Sequence, residues 1–510
     1  MRSLTVYSLI LIAALIASTT NAAQKGEFRL TVVDEQSGQP IACRMHLKNA
    51  RGIPQKAGRQ PFLKDHFVFD GKVTLSLREG NYKFEAESGP EYHTRGGHFS
   101  VNRFSSDQKT ISMRRFADLA KEGWWSGDMY VNRSPRDIEL LMRAEDLHVA
   151  QLLGWPSRKS DRDTMNSGSP IVKLADSRYY HKLAGRDVRA GGGICFFKLD
   201  AVPEIFANGK LANEFPPAVE LAQDLKKQGA WVEADMASCW DLPLWVAHQT
   251  VDSIRLLDQR FGRERFSEDT TGQFPRDAAI YADASGAGRW SEYIYYQLLN
   301  CGLQIPPTAG SGSGDTPNPV GLNRVYVYCG EYFSPAKWWQ ALREGKVVLT
   351  NGPLLRPFVE GHPPGHVFHA DQGQIRRLQF DLKLATKEKI EYLEVIKNGA
   401  IAVTVRLDEF VNRNGQLPPV AFKRSGWCMV RVVTNARGTH QVATSGPFYV
   451  QIGDEPIRSK RSAEFFRDWI AQRVEQIENI DDASQRQHVM DYHRSAAEYW
   501  DQMVRQANRD

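Results

Sequence analysis

The chain has 510 residues, of which 42% are hydrophobic and 25% charged, an ordinary composition for a soluble globular protein. Its length exceeds what one hydrophobic core organises, so roughly two to four domains are expected. The formal charge of +5 is small for this size and the basic residues are interleaved with acidic ones, which argues against a nucleic-acid partner.

The first 22 residues predict a secretory signal peptide. Arg2 is followed by an apolar run over residues 6–17 and then by small and polar residues that end at Ala22. This order is typical of an exported precursor that is cleaved after Ala22. The alternative is an uncleaved anchor, but the run is shorter than the roughly 20 apolar residues that span a bilayer. We therefore expect a periplasmic or extracellular protein with no integral membrane segment after cleavage.

Residues 24–115 predict a small β-sandwich. Alternating runs at 28–33, 71–77 and 81–86 are separated by turn residues. The phrases VVDEQSGQPIACRMHL and LREGNYKFEAESGPEY resemble the transthyretin-like or carboxypeptidase-regulatory-like domains. That resemblance implies a module that holds and orients its neighbours, and we assign no chemistry to it.

Residues 116–355 change to a pattern in which helices alternate with short apolar runs. The helices are predicted at 137–151 and 217–229 from their apolar stripes. The apolar runs lie at 193–197, 230–232, 251–254 and 323–328. Alternation of this kind predicts a parallel sheet or barrel whose functional surface lies at the carboxyl ends of the strands.

Two further segments complete the chain. Residues 356–452 return to strand-like alternation, with Lys397-Asn398-Gly399 as a hairpin turn, and predict a second β-sandwich. Residues 460–508 predict a helical hairpin whose second helix is capped within 481–484.

Six scattered cysteines show neither a CxxC pair nor metal-ligand spacing. They are Cys43, Cys195, Cys239, Cys301, Cys329 and Cys428. Buried free thiols are the favoured interpretation, although some could pair in an oxidising compartment.

Two long segments carry a family resemblance. They read EGWWSGDMYVNRSPRDIELLMRAEDLHVA and SEYIYYQLLNCGLQIPPTAGSGSGDTPNPVGLNRVYVY, the second followed by WWQALREGKVVLTNGPLLRP. Both resemble the PHP-type metallohydrolases of the CehA/McbA kind. The resemblance implies an α/β plus β fold: a PHP-like distorted α/β barrel flanked by two small β-sandwich domains and a C-terminal helical hairpin. It also implies a divalent metal, typically zinc, manganese or iron, used to hydrolyse esters or phosphoesters.

The metal-ligand motifs of that family are altered in this chain. Where similar enzymes have Gly-Asp-Leu-His-x-His, this chain reads Gly127-Asp128-Met129-Tyr130-Val131-Asn132. The late Asp-x-His falls at Gly312 and Gly314, which offer no side chain. No Thr-Asp-His follows the second strand, where the chain reads 152–156 as LLGWP. Tyrosine and asparagine are poor replacements for imidazole at zinc.

Some carboxylates remain at predicted strand ends. Asp128, Glu233 and Asp235 are the candidate catalytic residues and metal ligands, because the last two alternate and can share one face of a strand end. A carboxylate site favours magnesium or manganese over zinc, and having no metal at all is left open. The alternative for Asp128 is that it caps a loop.

A ligand surface is the second possibility. Tryptophans near the predicted strand ends, interleaved with acids and arginines, would suit a sugar ring. The candidate binding residues are Tyr130, Asn132, Arg133, Trp155, Asp187, Trp240 and Asp241. The alternative is that large aromatic residues close barrel mouths and domain seams.

Two hypotheses follow. In the first, the chain is an exported metallohydrolase with a remodelled metal site and a small-molecule substrate. In the second, it is a noncatalytic relative, a pseudoenzyme, that binds a carbohydrate or another partner on a PHP-like scaffold. Loss of three separate ligand motifs favours the second hypothesis. The substrate and the oligomeric state are left open.

Overall fold

The computed structural model describes residues 25–155, 168–201, 203, 214–477 and 479–509. The signal peptide predicted at residues 1–22 lies outside these ranges. The described residues fall into two compact units. The first unit comprises residues 25–88 with 92–115, and the second comprises 89–91 with 116–509.

The first unit contains two sheets that share one apolar core. Its strands are β1 Lys25–Asp34, β2 Ala42–Asn49, β3 Phe62–Leu63, β4 His66–Asp70, β5 Lys72–Arg78, β6 Gly80–Glu87, β7 Arg95–Val101 and β8 Ser106–Met113. One sheet has the order β5-β1-β8 and the other β3-β4-β2-β6-β7. Alternate residues of β1, such as Phe28 and Leu30, meet Met45 and Phe67 of the other sheet in this core. The predicted two-sheet arrangement is therefore present.

The second unit begins with the strands of a long sheet, which also includes strands from later in the chain. Its first strands are β9 Trp124–Val131, β10 Val149–Trp155, β11 Ile171–Lys173, β12 Tyr179–Arg189, β13 Gly192–Phe197, β14 Trp231–Ala234, β15 Ser253–Leu257, β16 Pro307–Ala309, β17 Arg324–Tyr328 and β18 Val347–Thr350. Strands β9, β10 and β12 are parallel neighbours, as are β14, β15 and β16. Within each of these two groups the carboxyl ends of the strands therefore lie at the same edge of the sheet.

The sheet is mixed and open rather than a closed parallel barrel. Strand β13 runs antiparallel between β12 and β14, because only Ala190 and Gly191 separate it from β12 and so short a link permits only a hairpin. After β16 the chain returns to β9, where Gly312 N donates to Tyr130 O at 2.9 Å. Strands β9 and β16 are nevertheless unpaired, so the described residues show no closed barrel.

The remaining strands form the region that the sequence predicted as a second β-sandwich. They are β19 Leu354–Val359, β20 Val367–Ala370, β21 Arg376–Ala385, β22 Ile390–Lys397, β23 Ala400–Val405, β24 Gln416–Phe422, β25 Gly426–Thr434, β26 Val442–Ser445 and β27 Phe448–Ile452. The sheet β19-β21-β24 shares an apolar core with β22 and β25 of the long sheet. The hairpin turn at Lys397-Asn398-Gly399 joins β22 to β23, as predicted. The division of residues 116–508 into three domains stays a prediction, since they belong to one compact unit.

Eight helices are described. They are α1 Ile138–Ala144, α2 Ala218–Lys227, α3 Leu242–Ala247, α4 Ala284–Asn300, α5 Pro335–Arg343, α6 Leu407–Asn412, α7 Lys460–Ile477 and α8 Ala483–Arg505. The predicted helix 137–151 was too long: α1 ends at Ala144, Asp146 has a left-handed φ of 49°, and strand β10 begins at Val149. The C-terminal pair is as predicted, because Trp469 and Trp500 lie buried on the inner faces of α7 and α8.

No helix in the described ranges combines the length and the apolar character needed to cross a membrane.

Candidate functional site

The candidate acids of β14 meet an arginine that the sequence analysis did not consider. Glu233 and Asp235 are two residues apart and therefore project on the same side of the strand. Arg255 of β15 bonds both: Nη2 lies 2.6 Å from Glu233 Oε1, and Nη1 contacts Asp235 Oδ1. All three side chains are fully buried. Arg255 thus lies between the two carboxylates, where the hypothesis of a remodelled metal site would place the ion.

A second arginine joins this group from β12. Arg186 Nε lies 2.7 Å from Asp235 Oδ2, and its Nη1 donates to Tyr130 Oη at 3.1 Å. We call Arg186, Glu233, Asp235 and Arg255 the arginine cluster. Its formal charge is zero, because two guanidinium groups face two carboxylates.

The carboxylate oxygens of the cluster are all engaged. Glu233 Oε2 accepts from Ser253 Oγ at 2.9 Å and from Thr308 Oγ1 at 2.5 Å. Asp235 Oδ1 and Oδ2 face the two arginines, and Cys195 Sγ lies 3.7 Å from Oδ1. Buried carboxylates are stable only when paired and hydrogen-bonded, and here each oxygen has a donor.

Burial and the arginines act in opposite directions on these acids. Burial acts to raise the pKa of Asp235, but the guanidinium groups of Arg186 and Arg255 outweigh it and the pKa is lowered. For Glu233 burial prevails, so its pKa is raised despite Arg255, Thr308 and Ser253. The pKa of Arg255 is raised, because its two carboxylates and Cys195 outweigh its burial. The guanidinium therefore stays protonated and holds the group together.

A polar path leads from the cluster to the surface. Tyr130 Oη donates to Asp315 Oδ2 at 2.6 Å, and Asn132 Nδ2 donates to Asp315 Oδ1 at 2.7 Å. Burial raises the pKa of Tyr130, so the phenol remains a donor. Asn132 and Asp315 are exposed, and Arg186 is 26% exposed. We call Tyr130, Asn132, Arg186 and Asp315 the polar rim.

The altered ligand positions lie side by side. Gly312 N bonds Tyr130 O, and a Cβ atom on Gly314 would lie only 1.9 Å from Asn132 O. Gly314 also has a φ of 108°, in the region that favours glycine. A ligand side chain at Gly314 would therefore collide with Asn132.

Asp128 caps a loop, which was the alternative to its predicted role as a catalytic residue and metal ligand. Its Oδ1 accepts from Tyr130 N at 2.9 Å and Ser311 N at 3.0 Å, while Oδ2 accepts from Gly321 N at 2.7 Å. Burial raises its pKa even so. These bonds join the end of β9 to the segments that follow β16.

Two predicted binding acids lie in other contacts. Asp241 bonds Arg473 of α7 at 2.7 Å, which ties the C-terminal helices to the turn after β14. Asp187 bonds Arg189 at 2.6 Å. Because Asp187 follows Arg186 in the same strand, it points to the opposite face from the cluster.

The aromatic residues mostly serve as core. Trp124, Trp231 and Trp245 are at most 1% exposed, which supports the packing alternative. Trp240 is half-buried and meets Phe274 edge to face. Arg133 is half-buried as well, and its Nη1 has no hydrogen-bond partner among the described residues. Trp155 ends β10, but its side chain lies outside the description.

The metal implied by the resemblance does not fit the arginine cluster. A divalent ion would have to displace Arg255, and with Arg186 still in place the neutral cluster would then carry one uncompensated positive charge. An uncompensated charge at a buried place costs several kcal/mol. The one group of potential ligands found in the described residues, His46, Asp65 and His66, lies in the first unit. There Arg44 Nη1 already lies 2.6 Å from His46 Nε2.

The sequence analysis missed Arg186, Arg255, Asp315 and the Gly191–Gly193 run. A signal existed for Arg255, since a charged residue within an apolar run must be paired if the run is buried. The glycines make room for acids: a Cβ atom on Gly191 would lie 1.9 Å from Asp241 Oδ2, and one on Gly193 would lie 2.8 Å from Asp235 Oδ2.

Comparisons with known proteins identify no family. No protein family and no curated protein matches the chain. Among solved structures, phospholipase PlaB from Legionella pneumophila is 16% identical over 18% of this chain and 25% of its own, with a TM-score of 0.14. A pilus-presented adhesin is 12% identical over 18% of this chain and 27% of its own, also with a TM-score of 0.14. The chain thus spans about a quarter of each of these two structures, and scores this low carry no argument about fold or function.

Proposed function

We propose that this chain is an exported, noncatalytic relative of the PHP-type metallohydrolases, in which an arginine has taken the place of the metal. The observation that carries the proposal is Arg255, fully buried between Glu233 and Asp235. An enzyme that uses metal-bound hydroxide needs ligand atoms that are free to coordinate. Here the carboxylate oxygens bond to arginine, serine, threonine and cysteine instead.

The ligand that suits the polar rim is a hydroxyl-rich molecule, a carbohydrate above all. Asp315 supplies an exposed carboxylate acceptor, and Asn132 and Arg186 supply planar donors beside it. Binding sites typically orient their ligands with a small number of convergent polar groups. The rim also includes Tyr130 and Asn132, the positions at which the resemblance would place imidazoles. Binding would thus use the surface where the family carries out hydrolysis.

Glycan-array screening of the purified chain, followed by calorimetry with the best glycan, tests this proposal. Asp315→Asn should weaken binding at least tenfold, because the carboxylate is the acceptor of the rim. Asp408→Asn, an exposed acid elsewhere in the second unit, is the matched control and should leave affinity unchanged.

The same preparation should show no hydrolysis of ester and phosphoester panels with added Mg²⁺, Mn²⁺ or Zn²⁺. Metal-dependent turnover that Glu233→Gln abolishes would contradict the proposal and restore the hydrolase alternative. Absence of any glycan ligand would contradict the carbohydrate part alone.

A further inference from the structure

A polar cavity lies within the second unit, between the β22–β24 region and the C-terminal helices. Its volume is 780 Å³. It is lined by Lys397, Asn398, Ala421, Lys423, Arg424, Lys460, Val504, Ala507, Asn508 and Arg509. We call it the basic cavity. Its size falls within the range of roughly 300–1,000 Å³ that is usual for small-molecule sites.

The lining is unbalanced in charge. It includes five cationic side chains and no acidic one among the described residues. Glu455 lies beside the cavity and pairs with Arg424. Lys397 Nζ donates to Ala421 O at 2.7 Å and lies over the Phe422 ring. Lys423 and Lys460 are exposed and have no anionic partner in the described part of the chain.

Arg509 adds donors without acceptors. Its Nε and Nη2 atoms are buried and lack a hydrogen-bond partner in the described structure. A buried unsatisfied donor is costly, and guanidinium groups suit carboxylate and phosphate oxygens. Burial and the nearby Arg424 lower the pKa of Arg509, and Glu455 acts in the opposite direction without outweighing them.

The start of helix α7 also carries positive charge without an acidic residue in its first turn. Lys460 and Arg461 occupy that turn. Cations there oppose the helix dipole, whereas an anion is favoured. Ser459 Oγ accepts from Ser462 N at 3.3 Å, and Lys460 N donates to Arg509 O at 2.8 Å.

We propose that the basic cavity binds a small polyanion with two or more carboxylate or phosphate groups. One anionic group would contact Arg509, and another would contact the Lys423 and Lys460 ammonium groups. An anion with two such groups should therefore bind more tightly than an anion with one. This site is separate in residues from the polar rim, and its ligand does not depend on the function proposed there.

Calorimetry on the full chain at low salt tests the site with citrate, pyrophosphate and acetate. At least one of citrate and pyrophosphate should bind with one-to-one stoichiometry. The one that binds more tightly shows whether the cavity prefers carboxylate or phosphate groups. Acetate should bind at least tenfold more weakly. The double variant K423A/K460A should raise the Kd at least tenfold with an unchanged melting temperature, because both side chains are exposed.

The matched control is K72A/K83A, which removes the same charge from exposed positions of the first unit. It should leave the Kd unchanged. An equal loss in both double variants would mean a nonspecific effect of net charge and would overturn the proposal. Absence of citrate and pyrophosphate binding at millimolar concentration would overturn it as well.

Discussion

Removal of the Arg255 guanidinium should expose how much the arginine cluster depends on it. Arg255→Met keeps a long side chain but leaves Glu233 and Asp235 without the charge that lies between them. Breaking one side of a buried ion pair costs about 3–5 kcal/mol, because the partner charge stays buried and uncompensated. Arg186 still faces Asp235, so most of the penalty should fall on Glu233.

The penalty should depend on pH in a definite direction. Burial raises the pKa of Glu233 even with Arg255 present, so without the arginine its folded-state pKa lies further above the ordinary value. A carboxyl group whose pKa is higher in the folded state than in the unfolded state takes up a proton on folding at pH values between the two. The resulting loss of stability is absent at pH values below the unfolded-state pKa and complete at pH values above the folded-state pKa. The variant should therefore be destabilised less at pH 5 than at pH 8.

Urea denaturation followed by tryptophan fluorescence measures both effects. Arg413→Met is the control, since it breaks an exposed pair with Glu409 that is worth about 0–1 kcal/mol. Adding Glu233→Gln to Arg255→Met should recover part of the lost free energy of unfolding. A change in that free energy below about 1 kcal/mol for Arg255→Met, equal at both pH values, would refute the role assigned to Arg255.

Three further predictions concern other parts of the chain. Gly191→Ala should lower the melting temperature strongly, because the added Cβ atom would collide with Asp241 Oδ2. Gly96→Ala is the control and should change the melting temperature little, because the nearest atom to its added Cβ is 3.8 Å away. Calorimetry on both variants measures the difference. Asp482→Ala removes the cap that accepts from Ser484 N and should cost about 1 kcal/mol in urea unfolding. The six cysteines are buried and form no disulfide with one another in the described structure, so iodoacetamide should label none in the native protein and all in urea. Intact mass measures the labelling, and native labelling would contradict their burial.

The convergence of the candidate site could be predicted because it follows from strand geometry. Glu233 and Asp235 share a face, and β14 runs parallel to β15, so residues at their carboxyl ends had to meet. Tyr130 and Asn132 reach the same region because the segment after β16 returns to β9, where Gly312 N donates to Tyr130 O. Alternation along a strand is local, and the sequence shows it directly.

The partners of those residues could not be predicted, because they depend on pairing between distant segments. Asp315 lies 183 residues from Asn132, and nothing local indicates that its carboxylate meets that amide. The tryptophans left two interpretations open in the sequence. Trp231 and Trp245 lie in the core, as the packing alternative expects, since apolar burial outweighs their polar atoms. The antiparallel direction of β13 depends on a two-residue link, which the apolar runs alone do not indicate. The sheet stays open among the described residues because β9 and β16 do not pair.

The central proposal is that Arg255 occupies the place between Glu233 and Asp235 that a metal ion would need in a remodelled hydrolase site. Anomalous diffraction from crystals soaked in Mn²⁺ or Zn²⁺ tests it most directly, since it locates each ion and separates the arginine cluster from the His46, Asp65 and His66 group. We predict no anomalous peak within coordinating distance of Glu233 or Asp235, with both carboxylates still bonded to Arg255. A fully occupied ion between Glu233 and Asp235, with the Arg255 guanidinium displaced, would contradict it.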